Sequence, residues 1–154
     1  MSDEIDVFWR GPLRVSGRAL QGALATLGFE ATILSEFKEA RLFWPIEFGT
    51  LRTGFEVYAF AFDEDLEAIS KEMPELSGRD HQATFRFFGD AEGGVAFAIA
   101  AALAKLKDAL IRDRHAGINI WVSSEEAAAK AHGTLGRVRL LPVLKTRTNH
   151  EHFC

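Results

Sequence analysis

The chain has 154 residues, 47% of them hydrophobic and 26% charged, with a formal net charge of −4. That size and balance predict one globular domain around one core, and they exclude disordered and fibrous classes. A single cysteine, Cys154, excludes an intramolecular disulfide framework, and the longest apolar run, near residues 95–104, falls far short of the ~20 residues a spanning helix needs.

Taken in order, residues 5–10 (IDVFWR) read as a first strand and GPLRVSG as a loop. A helix follows: Ser16 is placed to cap it, Leu20, Leu24 and Leu27 form its stripe, and Gly28 suits the left-handed position after its end. Residues 29–34 (FEATIL) alternate as a second strand. Residues 35–53 are expected to form a loop with one helical turn, because the Trp44–Pro45 step disfavours helix at Trp44. Residues 55–62 (FEVYAFAF) are the clearest strand; apolar side chains on both faces give it an interior position. The next segment, DEDLEAISKEMP, spaces Leu66, Ile69 and Met73 as a short amphipathic helix that Pro74 stops, and residues 81–88 return to strand.

The strongest pattern lies between Gly89 and Val122. Val95, Ile99, Leu103, Leu106 and Leu110 recur at steps of three and four among alanines, which predicts a helix over residues 92–107 with Asp90 as its N-cap. A strand over 109–113, a turn at 115–117 and a strand over 118–122 complete the stretch; the rival reading is one helix running to Arg114. Ser123 and Glu126 form an S-x-x-E capping box for a last helix ending near His132, with Gly133 beyond it. Residues 138–144 read as a late strand or arm, and 146–154 as a tail outside a single domain of residues 1–145. The order predicts an α+β fold, with a mainly antiparallel sheet, helices on one face and a ferredoxin-like arrangement of two β-α-β halves.

The stretch FGDAEGGVAFAIAAALAKLKDALIRDRHAGINIWVSSEEAAAKA, residues 88–131, resembles small proteobacterial proteins of unassigned function, some of them regarded as immunity proteins beside toxins. In that group an Ala-rich helix precedes a strand ending in Asp, a short turn and a capped helix. ALATLGFEA carries a fainter echo. The glycine pair usual between helix and strand is replaced by Lys107–Asp108, and no catalytic residues come with the likeness. The resemblance implies a strand at 109–113.

Charge is uneven: residues 1–80 hold 8 Lys/Arg against 15 Asp/Glu, and residues 81–154 hold 10 against 7. No basic run exists to neutralise phosphates, so no nucleic-acid partner is expected. The acids Asp63, Glu64, Asp65 and Glu67 are the expected surface for a basic protein partner, although acids at a helix start also serve the helix dipole. Asp113 and His115 have the chemistry of an acid/base pair, but Arg112 and Arg114 flank Asp113, and a surface ion-pair cluster is the favoured reading of the same residues. His150, His152 and Cys154 alternate as a weak metal-ligand candidate in a mobile tail, and no cofactor is expected. The leading expectation is a non-enzymatic, cytoplasmic protein-binding domain, an immunity-type inhibitor of a basic toxin. The alternative is a small ligand-binding domain or enzyme with His81, Asp113 and His115 in a pocket between the sheet and the 43–48 loop. A third expectation is self-association through the aromatic strand faces.

Overall fold

The computed structural model describes residues 3–11, 14–37, 40–61, 76, 78–115 and 117–137. In chain order these form β1 (Asp3–Trp9), α1 (Gly17–Thr26), β2 (Ala31–Ile33), β3 (Ala40–Phe48), β4 (Leu51–Ala61), β5 (His81–Phe87), α2 (Gly89–Lys107), β6 (Leu110–Arg114), β7 (Ile120–Val122) and α3, residues 124–137. The strands make one antiparallel sheet in the order β2-β3-β4-β5-β1-β6-β7. Because β1 lies between β5 and β6 and opposes both, β5 and β6 run parallel. The unit β5-α2-β6 is therefore the split β-α-β of ferredoxin-like folds. The other unit, β1-α1-β2, also joins parallel strands, but β3, β4 and β5 stand between them.

Period-two alternation sorts the sheet into two unlike faces. Ile5, Val7 and Trp9, Phe55, Val57 and Ala59, and Ala83, Phe85 and Phe87 are buried on the face that α1 and α2 cover. Phe37 and Trp44 extend this core, Phe37 lying against Trp9, Trp44 and Phe85. The other face carries three rows that cross the strands in register. The first is Glu56, Arg86, Glu4, Arg114; the second Tyr58, Thr84, Asp6, Arg112, Trp121; the third Phe60, Gln82, Phe8, Leu110.

The residues expected to form a loop at 35–53 are instead mostly strand. Trp44, Ile46 and Phe48 are buried on the helix side and Phe43 is exposed on the other, so the segment alternates like its neighbours. Pro45 is tolerated for a geometric reason. A two-residue Gly49–Thr50 turn closes β3 onto β4 at the Phe48–Leu51 pair, with Gly49 at φ 60. Alternation from that pair directs odd-numbered amides toward β2, as the Gly49 N–H to Glu30 carbonyl bond of 3.2 Å shows. The missing N–H of Pro45 thus points to the side where β2 has already stopped, at Ile33.

The helix α2 is apolar all round rather than striped, and every residue from Gly93 to Ala104 is buried because α1 and α3 flank it above the sheet. Asp90 does not cap it: Phe88 holds the N-cap position and donates its N–H to Glu92 Oε1 at 3.1 Å. Its C-terminus is Asp108 in the left-handed region at φ 51, whose N–H returns to the Ala104 carbonyl. The chain then enters β6, which excludes a helix continuing to Arg114.

At α3 the capping box is present in full: Glu126 N–H donates to Ser123 Oγ at 3.0 Å and Ser123 N–H to Glu126 Oε1 at 3.1 Å. This helix does not stop at His132; it runs through Gly133 to residue 137, and Leu135 buries against Gly94 of α2. The ring of His132 lies on Phe29 at 4.0 Å and its Nε2 donates to the Leu27 carbonyl at 2.7 Å, tying α3 to the end of α1. The expected helix at 63–74, the arm at 138–144 and the tail at 146–154 lie outside the described residues. Among the described residues no helix is long and apolar enough to cross a membrane.

Candidate functional site

The last residues of β6 read Ile111-Arg112-Asp113-Arg114, and alternation sends Asp113 toward the helices and both arginines to the open face. Asp113 therefore makes no ion-pair cluster with its neighbours in sequence, contrary to the reading from adjacency. It is 0% exposed and meets two side-chain donors from its own side of the sheet. Lys130, from α3, donates to Oδ2 at 2.5 Å. His115, in the turn after β6, donates from Nδ1 to Oδ1 at 2.5 Å and from its backbone N–H to the same oxygen at 3.1 Å.

Burial alone pushes the Asp113 carboxyl up, but the Lys130 and His115 hydrogen bonds outweigh it and hold the group below its ordinary value. An ionised carboxylate only accepts, so His115 donates to it from Nδ1, and in the neutral imidazole Nε2 is the nitrogen that carries the lone pair. Aromatic rings fix the imidazole: Phe97 meets it edge-on at 5.4 Å, Phe87 lies at 6.5 Å, and Lys130 Nζ stands 5.4 Å from the Phe97 ring. His115 and Lys130 remain 28% and 35% exposed, so a buried carboxylate supports two groups that reach solvent.

His81 is not part of this cluster. It begins β5 opposite Trp9, whereas Asp113 stands opposite Ile5; the four-residue step from Ile5 to Trp9 separates the sites by roughly 13 Å along the strand alone. His81 forms its own pair, Nδ1 to Asp80 Oδ1 at 2.7 Å, and stacks on Trp9 at 6.0 Å. Burial raises the Asp80 carboxyl, and the bonds from His81 and the Gly11 N–H more than reverse it. A pocket between the sheet and a 43–48 loop does not form, since those residues are β3. A cavity of about 390 Å³ opens elsewhere, at the corner lined by Gln21, Phe29, Glu30, Thr32 and Gly49.

On the open face the first row is an alternating charge ladder. Arg86 lies 4.0 Å from Glu56 and 3.5 Å from Glu4, and Arg114 lies 2.7 Å from Glu4. In the second row Asp6, 1% exposed, accepts from Thr84 at 2.8 Å and from Arg114, while Arg112 stands over Trp121 and Arg86 over Tyr58. Acids of the first half of the chain are thus matched here by arginines of the second.

Sequence reasoning found Asp113 and His115 but missed Lys130 and Asp80. A signal for Lys130 existed: Ala127, Ala131 and Leu135 form the buried stripe of α3, and Lys130 borders it. Asp63, Glu64, Asp65, Glu67, His150, His152 and Cys154 lie outside the described residues. Among the described residues no group of three or more metal-ligating side chains converges. Comparison with family models, curated proteins and solved structures finds no match to the chain.

Proposed function

We propose that the chain is a protein-binding domain acting in the bacterial cytoplasm as an immunity-type inhibitor of a basic protein, with Asp63, Glu64, Asp65 and Glu67 at the contact. One observation carries this reading. The sheet's own acids, Glu4, Asp6 and Glu56, are matched by Arg86, Arg114 and Arg112, so the charge imbalance of the first half is not spread over the sheet. It concentrates in the connection from β4 to β5, residues 62–75, where six acids stand against Lys71. A dense acidic segment steers a basic partner and speeds its association.

The test is capture of partners on tagged full-length chain, with Asp63, Glu64, Asp65 and Glu67 replaced by lysine in a parallel variant. The expected result is one basic protein at stoichiometric yield on the wild type, lost on charge reversal and weakened by salt. Equal capture by both forms, or none by either, removes the reading. A small enzyme or ligand-binding domain is the second reading, and the Asp113–His115–Lys130 cluster favours it without His81; its test is a thermal-shift screen of wild type against His115→Gln.

A further inference from the structure

We propose that His115 is a phosphoryl acceptor, its Nε2 the nucleophile toward a donor whose phosphorus is bonded to nitrogen. Three observations converge on the ring. Asp113 accepts the Nδ1–H, so in the neutral imidazole the lone pair falls on Nε2, which has no hydrogen-bond partner among the described residues. Phe97 and Phe87 hold the imidazole in one orientation while it stays 28% exposed. Lys130 places an ammonium on the other oxygen of the same carboxylate and stays 35% exposed, so the cluster that holds the ring also carries a positive charge open to an anionic phosphoryl group.

The step balances within these groups. The Nε2 lone pair forms the new P–N bond as the donor's P–N bond breaks, and the donor's nitrogen, carrying three protons in the zwitterionic phosphoramidate, takes the bonding pair and leaves as ammonia. The positive charge that develops on the ring is shared through Nδ1–H with the ionised Asp113, which also positions the ring. The remaining described histidines lack part of this arrangement. His81 has an aspartate on Nδ1, but that aspartate is 46% exposed and its recorded partners are His81 and the Gly11 N–H. His132 already commits Nε2 to the Leu27 carbonyl.

The experiment incubates the full chain with potassium phosphoramidate and follows intact mass, then maps the label by peptide sequencing. The expected result is one acid-labile phosphoryl group on the peptide containing His115, with labelling about tenfold slower in Lys130→Gln and slower in high salt, where the attraction is screened. In guanidinium-unfolded protein the preference for His115 disappears. Absence of a label overturns the proposal, as does equal labelling of His81, His132, His150 or His152, or a Lys130→Gln rate matching wild type. Mapping on the wild type does not depend on any variant folding.

Discussion

Arg114 holds Asp6 across 108 positions of chain, Nη2 2.9 Å from Oδ1 and Nε 2.6 Å from Oδ2. The Nε contact is close but poorly angled for a hydrogen bond, so its attraction is chiefly ionic. Asp6 is 1% exposed and joins β1 to both of its neighbours, through Thr84 on β5 and Arg114 on β6. Removing Asp6 takes the acceptor from Thr84 and leaves Arg114 to Glu4 alone, at a cost of about 1–3 kcal/mol. Asp6→Ala is expected to lower the unfolding free energy by that amount, read as a lower urea midpoint at constant m. Asp6→Leu combined with Arg114→Met loses less than the two single changes added together.

Asp113 sets a pH dependence of known sign. Its carboxyl titrates lower in the folded chain than in the unfolded one, so it contributes stability above the unfolded value of about 3.9, lost as acid protonates the folded form. Asp80 acts in the same direction. Urea midpoints measured from pH 6 down to pH 3 are expected to fall, and to fall less steeply in Asp113→Asn, which is less stable at neutral pH. An Asp113→Asn curve parallel to wild type would assign the acid sensitivity to other groups.

Glycines in the helices separate into two kinds. A methyl group at Gly94 would meet Leu135 at 2.8 Å, and one at Gly93 would meet Phe87 at 2.8 Å. Alanine at either position is expected to destabilise by about 1–3 kcal/mol, although alanine is the better helix former. At Gly22 in α1 and Gly133 in α3 nothing lies within 4 Å, and alanine there is expected to stabilise by about 0.5–1 kcal/mol. Thermal melts of the four variants give both signs in one series.

The capping box gives a local prediction. Ser123→Ala removes the acceptor for the Glu126 N–H and is expected to cost about 1 kcal/mol. Because α3 carries Lys130 to Asp113, the same change is expected to raise amide exchange in the turn at His115. Hydrogen-exchange mass spectrometry reads both effects.

Much of this fold was legible wherever local chemistry and tertiary position agree. Ser16 and Ser123 cap their helices as their sequence contexts indicate, and residues 55–60 alternate as an interior strand should. The strand β3 was hidden because Pro45 argues against a strand until the neighbour on each side is known. The surroundings of Asp113 were hidden differently. Adjacency suggested arginine partners, yet the alternation of Ile111, Arg112, Asp113 and Arg114 sends those side chains to opposite faces, so the same four letters already excluded the pairing. Lys130 became visible as a partner only when α3 was laid over the sheet.

The position of β1 sets a schedule for synthesis. This strand lies inside the sheet between β5 and β6, but β5 lies more than seventy residues later and β6 more than a hundred. At translation rates of about 5–20 residues per second, Ile5, Val7, Phe8 and Trp9 wait roughly 5–20 s before both flanking strands have been made. During that interval the hairpin of β3 and β4 is complete while the middle of the sheet is missing. A nascent chain stalled before β6 therefore leaves one edge of β1 without its partner strand.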